Sequence, residues 1–95
     1  MTSSEYISKN AIMRSNIALL TKKQAIELIE LCKVENKIIL GIDSFIVFER
    51  AIQPISEDSV DFAYAKNNES NNCCAAQKFI ESRHNDKYYY EVVFK

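Results

Sequence analysis

The chain has 95 residues, 47% apolar and 26% charged, with one glycine, one proline, three cysteines and a formal net charge of −1. That length predicts one domain, 1–95, whose folding hides only about 60 to 65% of the surface its unfolded chain exposes, and the composition is that of an ordinary globular protein rather than a disordered one. A single glycine excludes both a P-loop and a dinucleotide fingerprint, and a pI near 5.8 with no basic cluster longer than Lys22-Lys23 argues against a nucleic-acid ligand.

Taken in chain order, EYISKNAI reads as a short opening helix. TKKQAIELIELCKVEN is a stronger signal: Thr21 with Gln24 three residues on forms a capping box, and Ala25, Ile26, Leu28, Ile29 and Leu31-Cys32 recur at helical spacing, which predicts a helix over about 22–35. KIILGIDSFIVFER is rich in Ile, Val and Phe and predicts strands near 37–40 and 44–49, with Gly41 and Asp43-Ser44 interrupting them as a bulge or tight turn. AIQPISEDSVDF carries Pro54, which cannot donate to a ladder, and reads as an ordered loop or a short edge element. NNESNN at 67–72 reads as a loop. NNCCAAQKFIESRH predicts a helix capped by Asn71 or Asn72, with Cys74, Ala75, Phe79 and Ile80 on one face. KYYYEVVFK closes as a strand with Tyr88, Tyr90 and Val92 on one face and Tyr89, Glu91 and Val93 on the other. The order predicts an α+β fold, a single small domain with helices packed on a small mixed or antiparallel β-sheet.

Charge is unevenly placed. Residues 1–40 carry six Lys/Arg against four acids, 63–95 carry five against four, and 41–62 carry Arg50 alone against Asp43, Glu49, Glu57, Asp58 and Asp61. A local acidic field repels phosphate and attracts basic protein surfaces. Hard cations also favour clustered carboxylates, but the spacing of Asp43, Glu57, Asp58 and Asp61 matches no calcium loop. His84 is the sole histidine and reads as a surface residue at a helix end. Cys32, Cys73 and Cys74 lack a CxxC spacing and read as reduced, buried apolar residues. No metal and no cofactor is expected. No run approaches the roughly 20 apolar residues a membrane span needs, and the acid-bearing start MTSSEYISK lacks the regions of a signal peptide. The expected location is cytoplasmic.

SNIALLTKKQAIELIELCKVENKIILGIDSFIV, then IQPISEDSVDF and QKFIESRHNDKYYYEVVF, resemble the small immunity proteins encoded beside polymorphic or contact-dependent growth-inhibition toxins in bacteria. In that family a helix runs into an ILGID-like strand, a proline-containing acidic segment follows, and a YFEIV-like strand ends the chain. The likeness spans Tyr6 to Phe94. It implies a non-enzymatic antitoxin, a monomer binding one cognate toxin 1:1, often a nuclease whose basic cleft an acidic ridge would block, with no nucleic-acid or membrane partner. Charge and placement, rather than the resemblance, select Asp43, Glu49, Glu57, Asp58, Asp61 and Tyr64 as toxin-binding residues. The competing expectations are a small ligand- or metal-binding, enzyme-like domain using Asp43 and nearby carboxylates, and an oligomerising subunit that uses the tyrosine strand as an edge.

Overall fold

Two threonines start the first two helices by the same device. In the computed structural model, which describes residues 1–62 and 72–95, Thr2 precedes α1 (Ser3–Asn10) and Thr21 precedes α2 (Lys22–Val34). Each threonine hydroxyl accepts from the backbone N–H three residues on, and the Glu5 or Gln24 side chain accepts from the threonine N–H in return. The predicted 22–35 helix is therefore present with the expected cap. It ends where Asn36 turns left-handed at φ 59°, so that Lys37 N–H bonds the Cys32 carbonyl and Asn36 N–H that of Lys33.

Between these helices lies a hairpin that the periodicity did not predict. Strands β1 (Ile12–Arg14) and β2 (Ile17–Leu19) pair antiparallel across Ser15 and Asn16, both left-handed at φ 51° and 65°. Two left-handed central residues define the turn whose twist suits a two-residue hairpin. Its sequence carries no Asn-Gly or Asp-Gly, and three-residue strands show too little alternation to be recognised.

The principal sheet has three antiparallel strands in the order β4 (Ile52–Asp61), β3 (Ile39–Val47), β5 (Tyr88–Phe94). It corrects two expectations. The strands placed at 37–40 and 44–49 are one strand, because β3 is paired on both sides and its irregularities are taken up as register shifts at Ile39/Gly41 and Ile42/Ser44 instead of a turn. The segment read as a loop or short edge element is a ten-residue strand. It is indeed at the sheet edge, the position that tolerates Pro54. Leu20 extends the sheet on the far side, exchanging backbone hydrogen bonds of 2.9 and 2.8 Å with Tyr90.

Helix α3 (Cys73–Glu81) buries Cys73, Ala76 and Ile80; of the expected face, Ile80 is buried and Phe79 packs partly buried on the core, whereas Cys74 and Ala75 are exposed and Cys73 and Ala76 take their place. Asn72 does occupy the cap position, but in a left-handed conformation; its side-chain amide donates to the Ile39 carbonyl at 3.0 Å instead of capping the helix. The helices cover one sheet face, where Leu28, Ile29, Ile42, Ile80, Tyr90 and Val92 belong to a single buried cluster. Cys32 also sits there, and burial pushes its thiol up to about 12, so it is an inert apolar residue. The architecture is α+β: among the described residues there are three helices with a two-stranded and a three-stranded antiparallel sheet. Among the described residues no helix is long and apolar enough to cross a membrane.

Candidate functional site: an acidic sheet face

β4 leaves its ladder where its acids lie. Between the pairs Ile42↔Val60 and Ser44↔Ile55, β3 contributes one residue, Asp43, while β4 contributes Ser56, Glu57, Asp58 and Ser59. The surplus forms a wide bulge. Fully buried Ser44 donates from Oγ to the Asp58 carbonyl at 2.5 Å, and Ser59 Oγ donates to the Ile55 carbonyl at 3.3 Å.

Asp58 faces inward from this bulge. Its Oδ1 accepts from Arg83 Nη1 and its Oδ2 from the Tyr88 hydroxyl, both at 2.6 Å. Arg83 is itself placed by the Phe79 ring, 4.6 Å from its guanidinium carbon, and by Ser82 Oγ at 3.0 Å. Donation to the Asp58 carboxylate raises the Tyr88 pKa, because the bond stabilises the neutral phenol. Asp58 thus has an internal cation and an internal donor.

The other predicted acids lie differently. Glu57 is exposed on the bulge. Glu49 is exposed in the β3–β4 turn, where the Phe48 and Glu49 carbonyls accept from Arg14 Nη1 at 3.1 and 3.3 Å, tying the hairpin to that turn. Tyr64 lies outside the described residues. Asp43 and Asp61 are brought together. Gly41 pairs with Asp61 on one side and Val93 on the other, and over this residue without a side chain runs a groove of about 240 Å³ lined by Leu40, Gly41, Asp43, Val60, Asp61 and Val93. A Cβ at position 41 would stand 2.9 Å from the Val60 carbonyl oxygen, so the close approach of β4 requires glycine.

Register adds an acid that charge counting along 41–62 missed. Glu91 lies directly opposite Asp43, on the sheet face away from the helices, in line with the pairs Gly41↔Val93 and Phe45↔Tyr89. Burial, with Asp43 adding to it, raises the Glu91 pKa. Neither Asp43 nor Glu91 forms an ion pair among the described residues. The alternation in YYYEVVF places Glu91 beside Tyr89 and Val93, but its strand partner becomes visible only once the pairing is known. On the opposite face the Tyr90 hydroxyl is fully buried and, among the described residues, has no hydrogen-bond partner; burial carries its pKa to about 12.

Among the described residues no three His, Cys, Asp or Glu side chains converge as a metal ion requires. The arrangement offers a half-apolar, carboxylate-lined surface suited to holding a cation or a basic polypeptide. The chain matches no protein-family model and no curated protein sequence.

Proposed function

We propose that the domain is an immunity protein, a non-enzymatic antitoxin whose β3–β4 pair and the flanking part of β5 form an acidic surface that docks on a basic protein partner. The partner is the toxin domain encoded beside it, of the nuclease class, with a basic substrate cleft that the acids occupy. The complex is 1:1 and forms in the cytoplasm, where it protects the producing cell. The observation that carries this reading is the juxtaposition of Asp43, Asp61 and Glu91 on one open sheet face, with Glu57 on the adjoining bulge. Carboxylates so displayed steer a basic partner into register and set specificity. Val93, 40% exposed in the groove lining beside Asp43 and Asp61, supplies the desolvated contact that charge alone does not. Isothermal calorimetry against the neighbouring toxin domain tests the reading.

One observation favours a second reading, a small-ligand site: Asp43 and Glu91 are opposed carboxylates beside a groove, and paired carboxylates also serve acid–base chemistry. A ligand or metal that binds there raises the melting temperature of the folded chain. A flat response across a metal and metabolite panel, with a tight toxin complex, decides for the first.

A further inference from the structure

The groove over Gly41 has room for one side chain. Its 240 Å³ falls below the roughly 300–1,000 Å³ of sites that enclose drug-sized ligands or cofactors. Its lining is divided: Leu40, Val60 and Val93 are apolar, and Asp43 and Asp61 are acidic. Lysine and arginine have the matching construction, an aliphatic stem that packs on apolar surface and a charged head that seeks carboxylates.

The charge balance of the sheet points the same way. Asp43 and Glu91 are cross-strand neighbours of like charge, an arrangement that destabilises an antiparallel pair. Arg83, the cation that pairs with Asp58, is bonded to the β4 bulge, and among the described residues no cation pairs with Asp43 or Glu91. A cation arriving from outside removes the repulsion and gains two carboxylate partners in a half-buried setting, where such contacts outweigh exposed ones.

We propose that this groove is a slot for a single cationic side chain, arginine or lysine, of a partner polypeptide. The Asp43 carboxylate in the lining receives the charge together with that of Glu91, its cross-strand neighbour beyond the lining, and Leu40, Val60 and Val93 flank the stem. Gly41 keeps the slot open and lets β4 approach. The identity of the partner rests on the immunity reading; the slot itself does not.

The test is a ¹⁵N NMR titration of the full chain with acetyl-Gly-Arg-Gly-amide, against the same peptide carrying citrulline, which keeps the shape and loses the charge. The chain's single glycine gives an isolated amide signal at the centre of the slot. The arginine peptide is expected to produce saturable shifts confined to residues 40–43, 60–61 and 91–93, and the citrulline peptide none. Asp43→Asn and Glu91→Gln are each expected to weaken arginine binding by about tenfold, and Glu30→Gln, at an exposed acid on α2 away from the sheet face, to leave it unchanged. The same two variants are expected to melt higher than the parent, since each removes the like-charge opposition; a merely structural pair would melt lower. Equal shifts with both peptides, non-saturating shifts spread over all acids, or unchanged binding in Asp43→Asn and Glu91→Gln overturns the slot. Failure of the slot and of the function are separable: a toxin complex indifferent to Asp43→Asn and Glu91→Gln keeps the function and removes the slot. Arginine-peptide binding without any toxin complex does the reverse.

Discussion

Arg83, just past the end of α3, holds the carboxylate of Asp58 at 2.6 Å and so ties the acidic bulge of β4 to the helical layer. With Tyr88 on its second oxygen, Asp58 becomes a structural acid in the middle of a segment whose other acids face outward.

Asp58→Ala is therefore expected to destabilise the fold by about 1–3 kcal/mol, because it leaves a partly buried guanidinium and a phenol unpaired. Glu57→Ala, one residue away and exposed, is expected to stay within about 0.5 kcal/mol of the parent. Urea unfolding of the two variants separates them; equal stability would mean that the Asp58 contacts are not formed in solution.

Gly41→Ala places a Cβ 2.9 Å from the Val60 carbonyl. Strand β4 must shift to accept it, so a loss of about 1–3 kcal/mol is expected, as for other overpacked sites. The backbone at Gly41 is not left-handed, so the loss comes from crowding alone. Thermal unfolding checks the stability, and loss of protection in hydrogen exchange at the Phe62 amide, which donates to the Leu40 carbonyl at 2.7 Å, locates the damage.

Tyr90→Phe removes a buried hydroxyl that has no partner among the described residues. Since an orphaned polar group costs its desolvation, the variant is expected to match the parent within about 0.5 kcal/mol or exceed it. A loss above about 1 kcal/mol in the same urea measurement would show that the hydroxyl is bonded.

Two carboxylates give opposite pH slopes. Glu35 accepts from both the N–H and the hydroxyl of Ser3 at 2.7 Å, capping α1 from the end of α2, and the Ser3 hydroxyl bond, helped by the N–H, lowers its pKa from the ordinary 4.5. A lowered folded pKa contributes stability that is present above about pH 4.5 and is lost as pH falls through the folded value. Glu91, with its pKa raised, does the reverse: the folded state holds its proton longer, and stability falls as pH climbs from about 4.5 through the raised value. Melting temperatures across pH 3 to 8 (about the whole carboxylate range) are expected to show a shallower acid limb for Glu35→Gln and a higher neutral plateau for Glu91→Gln.

Helix α2 and strand β5 were legible from the sequence because each carries its signal locally: a Thr21–Gln24 box before a 3.6-residue period, and β-prone residues alternating from Tyr88 to Val93. Strand β4 was not, since its bulge interrupts the alternation and Pro54 mimics a loop; what makes it a strand is pairing with β3. The later half of the α3 face, Phe79 and Ile80, was legible, whereas at the start of the helix Cys73 and Ala76 are buried in place of Cys74 and Ala75. For the site, the acidic segment was readable by counting. The inward turn of Asp58 and the opposition of Asp43 to Glu91 depend on contacts 25 and 48 positions away in the chain, which no local pattern records.

The central claim is that this acidic sheet face binds a basic protein partner. Calorimetry of the chain with the proposed toxin partner, for the parent and for Asp43→Asn/Glu57→Gln/Asp61→Asn combined, is the test. A tight 1:1 complex is expected for the parent, and for the variant an affinity weaker by on the order of tenfold or more, with slower association and a reduced salt dependence. No complex with the parent, or a variant that binds with unchanged affinity and association rate, would contradict it.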